Sequence, residues 1–197
     1  MRKFTLLFMA VLSFGVCAVA QLDPKPVEVP KTEFFIGYAY QHADTSGSSS
    51  VVSGTNVTST NLNGFAFEFS HYLRSKNLGF TVDISRGSNK AVDSTGINYV
   101  RTSYLAGPSY RIHSIGFFTA NVHALVGIDH SAFTVPHTNT TVSYTSNDLG
   151  AAAGVTFDGN LSRHLGVRLA QVDYLYTHHY GTNQGSFRYT GGVVARF

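Results

Sequence analysis

The last eleven residues alternate between two kinds of side chain, and this alternation constrains the fold more than any other feature of the sequence. From Phe187 to Phe197 every second residue is apolar or small, and the positions between them include Arg188 and Arg196. A period of two residues is that of a β-strand whose two faces meet different surroundings. An apolar face opposite a charged face suits a wall between lipid and a polar lumen.

The composition fits membrane-spanning strands better than membrane-spanning helices. Charged residues make up 13% of the 197 residues, against roughly 25% in an ordinary soluble domain, and aromatic residues also reach 13%. No stretch after residue 20 is continuously apolar over the ~20 residues that a spanning helix needs. The net charge of +3 is small and scattered, so no nucleic-acid partner is expected.

Residues 1–20 have the pattern of a cleavable signal peptide, so the protein is expected to be exported. A basic start at Arg2 is followed by an apolar run over residues 4–16 and by the small-x-small site Ala18-Val19-Ala20. The only cysteine, Cys17, lies in this segment, and Val16 stands where lipidation needs a small residue. The mature chain is therefore predicted to contain no thiol.

Three domain segments are predicted: the signal peptide 1–20, a Pro-rich periplasmic lead 21–32 and a barrel 33–197. The barrel segment contains eight alternating strands joined by seven connectors, and the long connectors span residues 43–60, 86–95, 130–145 and 177–186. An even number of strands with alternating long and short connectors is typical of a closed meander. The predicted fold is therefore all-β, an eight-stranded antiparallel up-and-down transmembrane β-barrel.

Two irregularities are expected within these strands. Pro108 has no amide hydrogen to donate to a sheet ladder, so we expect a β-bulge at that position. In the seventh strand the apolar parity slips before Asp173, and a bulge near Gln171 or Val172 would restore the inward direction of that carboxylate.

The polar face of the strands predicts a charged lumen. Apolar residues on the opposite face of every strand indicate lipid outside, which reverses the arrangement of a soluble ligand-carrying barrel. An eight-stranded interior is narrow and is filled by side chains, and buried charges need partners. We therefore predict arginine–carboxylate pairs in place of an open pore, with the individual pairings undetermined. The predicted lumenal charge network comprises Glu68, Asp83, Arg101, Arg111, Asp129, Arg168, Arg188 and Arg196.

Tyrosine residues near the strand ends are interpreted as the aromatic girdle that marks a membrane interface. This set consists of Tyr38, Tyr40, Tyr72, Tyr99, Tyr104, Tyr174 and Tyr176.

The end of the chain resembles a known signal. Thr190, Gly192, Ala195 and Phe197 match the polar, glycine, hydrophobic and terminal aromatic positions by which the outer-membrane assembly machinery recognises its substrates. From residue 33 to 197 the chain resembles the OmpA-like eight-stranded outer-membrane barrels of Gram-negative bacteria. The resemblance implies a location in the cell outer membrane, insertion by that machinery through the C-terminal strand, and contact with outer-membrane lipid and lipopolysaccharide. It also implies short periplasmic turns, long connectors at the cell surface and a monomeric barrel.

Two kinds of chemistry were weighed against this structural interpretation. Five histidines fall in the connectors and could gather into a metal site, although no spacing supports one; they are His42, His130, His137, His178 and His179. The triplet Asp129-His130-Ser131 has the residue types of a hydrolytic relay, but adjacent side chains diverge along a strand. We therefore predict no catalytic, cofactor-binding or metal-binding residue, no cofactor and no enzymatic activity.

Three functions stay open at this point. The preferred one is a structural or surface-interaction role through four extracellular loops, with a lumen filled by polar side chains. The alternatives are a small porin-like channel and an outer-membrane enzyme that modifies lipid.

Overall fold

The computed structural model describes residues 30–46, 58–73, 77–92, 96–115, 117–136, 141–179 and 181–197. The predicted signal peptide and most of the predicted periplasmic lead lie outside these residues. The strands are β1 (Thr32–Asp44), β2 (Ser59–Tyr72), β3 (Leu78–Val92), β4 (Ile97–Ile115), β5 (Phe118–Pro136), β6 (Thr141–Asn160), β7 (Leu165–His179) and β8 (Thr182–Arg196).

The eight strands form one closed antiparallel barrel. Each strand pairs with the next along the chain, and β1 pairs with β8. Closure leaves no sheet edge within the wall, which a hydrocarbon environment requires. The predicted fold, an eight-stranded up-and-down transmembrane barrel, is confirmed. No helix in the described ranges is long and apolar enough to cross a membrane.

The seam between β1 and β8 depends on glycine. Gly37 and Gly192 lie directly opposite each other, and a Cβ atom on Gly192 would lie 2.3 Å from the Ile36 carbonyl oxygen. Below this seam the backbones of Thr32 and Phe197 exchange two hydrogen bonds of 3.1 and 2.9 Å. The two ends of the described chain are therefore joined edge to edge, and the glycines allow the strands to meet closely.

Apolar side chains face away from the barrel axis and charged side chains face toward it. Phe65, Phe67 and Phe69 are all exposed on the outer surface, whereas Arg188 and Arg196 are each only 1% exposed. This orientation is the reverse of a water-soluble barrel and suits a lipid exterior.

The predicted alternation of connector lengths was largely wrong. The segments predicted as long connectors at 86–95, 130–145 and 177–186 lie mostly within strands, and only the connection from β1 to β2 is long. These segments are rich in polar residues and lack the contrast between apolar and polar faces. They nevertheless pair across hairpins, so strands of up to 20 residues continue beyond the apolar belt.

Of the two predicted bulges, the one in β7 is confirmed close to the predicted position, and the one in β4 is wrong. The β7–β8 register shifts between Arg168 and Gln171, close to the expected position, and Leu169 and the next residue are both exposed. In β4 the shift lies between Arg111 and His113, not at Pro108. Pro108 is paired with β3 but is absent from the β4–β5 ladder, so its missing amide hydrogen requires no bulge there.

Two of the seven predicted girdle tyrosines are inside the barrel. Tyr72 is 2% and Tyr99 is 1% exposed, so their assignment to the membrane interface was wrong. The Tyr72 ring lies 3.9 Å from the Arg111 guanidinium carbon, and Tyr99 stacks on Phe133 at 4.2 Å between ring centroids. Tyr72 shares the parity of the lumenal residues of β2, which outweighs its position at a strand end.

Candidate functional site

The candidate site is the lumen, whose polar side chains form three connected groups along the barrel axis. The first group lies near the chain termini and is a chain of ion pairs. Arg196 contacts Glu33 at 2.9 Å and Asp158 at 3.2 Å. Arg168 in turn contacts Asp158 at 3.0 Å and Glu68 at 3.0 Å. Two arginines thus serve three carboxylates, and each arginine spans different strands of the wall.

Arg111 extends this first group at its outer margin. Its guanidinium lies 3.0 Å from Glu33, and its Nη2 donates to the backbone carbonyl of Pro30 at 3.4 Å. Pro30, two residues before β1, is therefore held at the mouth of the barrel nearest the chain termini.

The second group surrounds Arg188 at the middle of the lumen. Arg188 lies 2.7 Å from Asp83 on β3 and 2.7 Å from Asp173 on β7. Asp173 also accepts hydrogen bonds from Gln171 at 2.9 Å and lies 2.9 Å from His123 Nε2. A side chain from β8 thus crosses the lumen to β3, and no straight passage remains along this level.

The third group is centred on Arg101. Its Nε donates to Asp129 at 2.8 Å, and its Nη atoms donate to the hydroxyls of Ser186 at 2.9 Å and Thr177 at 3.2 Å. Ser103 donates to the second oxygen of Asp129 at 2.5 Å. Arg101 therefore links β4 to β5, β7 and β8 with every guanidinium nitrogen engaged.

Two apolar layers also cross the lumen, and a third buried apolar cluster lies on β8, β1 and β2 and consists of Phe35, Ala39, Ala66 and Val194. One layer is formed by Leu105, Leu125, Ala152 and Leu175, all buried. The other lies at the end opposite the chain termini, on β1 to β5, and consists of Ala43, Leu62, Val92, Ile97, Tyr99 and Phe133. Apolar side chains packed across a narrow lumen exclude the ordered water that a conducting path needs.

All eight residues predicted to form the lumenal charge network are placed in the lumen and are buried. Sequence reasoning did not include Glu33, Asp158, Asp173 and His123 in this network, although each of them is buried in the lumen. Glu33 begins its strand, and Asp173 follows the parity slip in β7, so neither position gave a clear signal by alternation alone. Parity counted from Phe35 would have placed Glu33 inside.

The buried charges nearly balance. Within the described residues the buried ionisable side chains are five arginines, six carboxylates and His123. Burying an unpaired charge costs several kcal/mol, so a lumen of this kind requires near-equal numbers of opposite charges. His123 lies 2.9 Å from Asp173.

Among the described residues, no three His, Cys, Asp or Glu side chains gather to hold a metal ion. His42, His130 and His178 each contact an asparagine of the neighbouring strand. His137 and the side chain of His179 lie outside the described residues.

The triplet Asp129-His130-Ser131 does not form a relay. Asp129 and Ser131 are buried in the lumen, whereas His130 contacts Asn147 on the outer face at 2.6 Å. The imidazole is therefore separated from both potential partners by the strand itself.

The residues that resemble an assembly signal all lie in β8 or directly after it. Thr190 is buried in the lumen, and Gly192 lies at the seam described above. Ala195 lies opposite Phe34, and the Phe197 ring is 6.0 Å from that of Phe34 in an edge-to-face arrangement.

One hairpin projects beyond the rest of the barrel at the end opposite the chain termini. The β5–β6 ladder continues to the pair Pro136–Thr141, whereas the β6–β7 ladder begins only at Gly150. Within the described strands, the backbone of residues 141–147 is therefore laddered on one side alone. Val142 and Tyr144, opposite Val135 and Phe133, are both about one-third exposed at 37% and 36%.

Comparison with known proteins gives structural matches alone. No protein-family model matches the sequence, and no curated protein sequence matches it. Ail, the attachment invasion locus protein of Yersinia pestis, is similar in structure with a TM-score of 0.61 and 17% identity, covering 84% of this chain and 99% of Ail. Neisserial surface protein A gives a TM-score of 0.62 at 14% identity, covering 84% of this chain and 97% of that protein.

OprG from Pseudomonas aeruginosa is a third similar structure, with a TM-score of 0.53 and 12% identity, covering 89% of this chain and 99% of OprG. These solved structures are bacterial outer-membrane barrels with eight strands. The closed eight-stranded meander agrees with them. This chain therefore has the fold of the eight-stranded outer-membrane β-barrels.

Proposed function

We propose that this chain is an outer-membrane protein whose barrel is closed to solutes and which serves a structural or surface-interaction role through its extracellular hairpins. The observation that carries the proposal is the filled lumen. Ion pairs cross the lumen at three levels, and two apolar layers lie among and beyond them. A barrel closed in this way offers its outer ends, and not its axis, for function.

The proposed location follows from the exterior of the barrel and from the N-terminal segment. The apolar outer face needs lipid, and the signal peptide predicted over residues 1–20 would direct export. We propose that the assembly machinery inserts the barrel through β8, that the chain termini face the periplasm, and that the barrel is monomeric. Lipid and lipopolysaccharide are then its immediate partners, and neither nucleic acid nor a cofactor has a role.

The projecting β5–β6 hairpin supports the surface-interaction part of the proposal. Residues 141–147 present backbone N–H and C=O groups along one edge, and an exposed edge can pair with an extended segment of another molecule. Tyr144 and Val142 add apolar area beside this edge. Two proteins of similar structure are named a surface protein and an attachment invasion locus protein, which agrees with a role at the cell surface.

The proposed role is not catalytic. The separation of His130 from Asp129 and Ser131 by the strand supports this part of the proposal. Incubation of the purified barrel with lipid A should release no acyl chain, whereas release would favour a lipid-modifying enzyme.

The first test is single-channel recording in a planar bilayer. The wild-type barrel should give no resolved current steps, because side chains occupy every level of the lumen. A porin added afterwards to the same bilayer is the positive control for detection. Steady conductance steps from the wild-type barrel would contradict the closed lumen and favour the small channel.

The second test is labelling of single cysteines in intact cells, with Cys17 expected to be removed with the signal peptide. Ser143→Cys on the projecting hairpin should react with a membrane-impermeant maleimide, because residue 143 is exposed beyond the apolar belt. The matched control is Ser162→Cys, an exposed residue between β6 and β7 at the opposite end. We expect at least tenfold more labelling at 143 in intact cells and equal labelling after the cells are permeabilised. The reverse ratio would contradict the proposed orientation.

A further inference from the structure

A continuous row of polar side chains crosses the outer face of four neighbouring strands. Arg86 on β3 lies opposite Thr102 on β4, Thr102 lies opposite His130 on β5, and His130 lies opposite Asn147 on β6. Neighbouring strands are separated by about 4.8 Å, so Arg86 and His130 stand about 10 Å apart with the Thr102 hydroxyl between them. We call these four residues the outer polar row.

The outer polar row lies directly beyond the apolar belt. On all four strands that run away from the chain termini, a basic residue occurs two positions after an apolar residue of the outer face. The pairs are Tyr40 and His42 on β1, Ile84 and Arg86 on β3, Ile128 and His130 on β5, and Tyr176 and His178 on β7. Two residues advance a strand by about 7 Å. The basic groups therefore lie in one zone, just beyond apolar side chains of the outer face.

The histidines in this zone are held in one geometry. Nδ1–H donates to the side-chain oxygen of an asparagine on the adjacent strand at 2.7 Å for His42, 2.6 Å for His130 and 2.7 Å for His178. The asparagine oxygen keeps a proton on Nδ1, so Nε2 of each ring lies on the side away from that asparagine.

The exposed charges of the described residues are all basic. Lys31, Arg86, Lys90 and Arg163 are exposed. Of the described carboxylates, six are in the lumen, and Asp44 and Asp148 are only partly exposed. Asp148 accepts a hydrogen bond from Ser146, and Asp44 accepts one from the backbone of Ser46. Within the described residues the outer face therefore attracts anions and carries no exposed carboxylate to repel them.

We propose that the outer polar row binds a phosphate group of the glycolipid in the outer leaflet. The Arg86 guanidinium supplies a planar fork that matches two phosphate oxygens, and the Asn147 amide is a further donor on the same row. Thr102, which is 7% exposed, and the half-buried His130 lie between them. His130 faces Thr102 on β4 and Asn147 on β6, and Arg86 is the nearest charged group across Thr102. The inference rests on the proposed outer-membrane location, because only there does this zone meet phosphorylated glycolipid.

The test measures binding of diphosphoryl lipid A to the folded full barrel in detergent by native mass spectrometry, compared with the same lipid after removal of its phosphates. The variant is Arg86→Gln with His130→Gln, and the matched control is Arg163→Gln, an exposed arginine at the opposite end of the barrel. We expect the double variant to bind the diphosphoryl lipid at least tenfold more weakly and the control to bind it as the wild type does.

Three outcomes would overturn the inference. They are equal binding by the double variant and the wild type, equal binding of the lipid with and without phosphates, and binding of inorganic pyrophosphate as tight as that of the lipid. The last result would identify a site for soluble anions. Heat-dependent gel mobility confirms that each variant is closed, and the conductance and labelling tests above report on the proposed function separately.

Discussion

Replacing Arg168 with methionine is expected to lower the free energy of unfolding of the barrel by about 3–5 kcal/mol. Arg168 is 2% exposed and lies 3.0 Å from both Glu68 and Asp158. Its Nη1 also donates to Gln171 at 2.6 Å. Methionine matches much of the length of the Arg168 side chain. The substitution leaves Glu68 without a cation and leaves Asp158 paired with Arg196 alone. The removal of one partner is costly because the remaining charge stays in the lumen.

The measurement is a urea titration of the refolded barrel in lipid vesicles, followed by heat-dependent gel mobility. Arg163→Met is the matched control, because Arg163 is exposed and should change stability by no more than about 0.5 kcal/mol. A charge-free triple variant, Arg168→Met with Glu68→Gln and Asp158→Asn, should recover part of the loss, since unpaired carboxylates are then absent. A loss below 1 kcal/mol for Arg168→Met would show that the pairs contribute little.

The second large effect is expected at the β1–β8 seam. A Cβ atom on Gly192 would lie 2.3 Å from the Ile36 carbonyl oxygen and 2.5 Å from the Gly37 Cα atom. Both atoms belong to the backbone of the opposite strand, which cannot retreat without opening the ladder. Gly192→Ala should therefore lower stability by about 3 kcal/mol, at the upper end of overpacking effects, or prevent closure. The unboiled sample would then lack the faster-migrating band of a closed barrel.

The adjacent glycine provides a close control for this prediction. A Cβ atom on Gly191 would lie 3.5 Å from its nearest neighbour, the Arg168 carbonyl oxygen, which is ordinary contact. Gly191→Ala should refold as the wild type does, with a stability change within about 1 kcal/mol. Both variants are refolded without any assembly machinery, so the result reports on strand contact and not on recognition of the C-terminal strand. Equal refolding of the two alanine variants would rule out the close-contact argument.

Much of the fold could be predicted from the sequence because lipid imposes a strict alternation on the strands. Phe65, Phe67 and Phe69 identified the outer face of β2, and the same parity placed Arg188 and Arg196 inside. Where neither face of a strand meets lipid, this contrast between apolar and polar faces is absent. The segment 130–145 was therefore predicted as a connector although it forms the ends of β5 and β6. Beyond the bilayer both faces meet water, and cross-strand pairing leaves no periodic signal.

The candidate site was predictable in composition but not in connectivity. Alternation shows that Arg168 and Glu68 share the lumen, yet their contact joins β7 to β2 across the barrel. Such pairs depend on strand tilt and register, which one sequence does not specify. The outer polar row was not predicted from the sequence for the same reason. Arg86 and His130 are brought near each other only by the registers of the β3–β4 and β4–β5 ladders.

The uneven distribution of ionic and apolar groups along the lumen has a consequence for how the chain enters the membrane. Glu33, Glu68, Arg111, Asp158, Arg168 and Arg196 form the group nearest the chain termini, and the stacked Tyr99 and Phe133 close the far end. If a strand pair crosses from the periplasmic side, the inward-facing side chains at its leading end are apolar. Most of its ionic side chains then never traverse the hydrocarbon. The electrostatic barrier to translocation then rests mainly on Arg101, Asp129 and the basic groups of the outer leaflet.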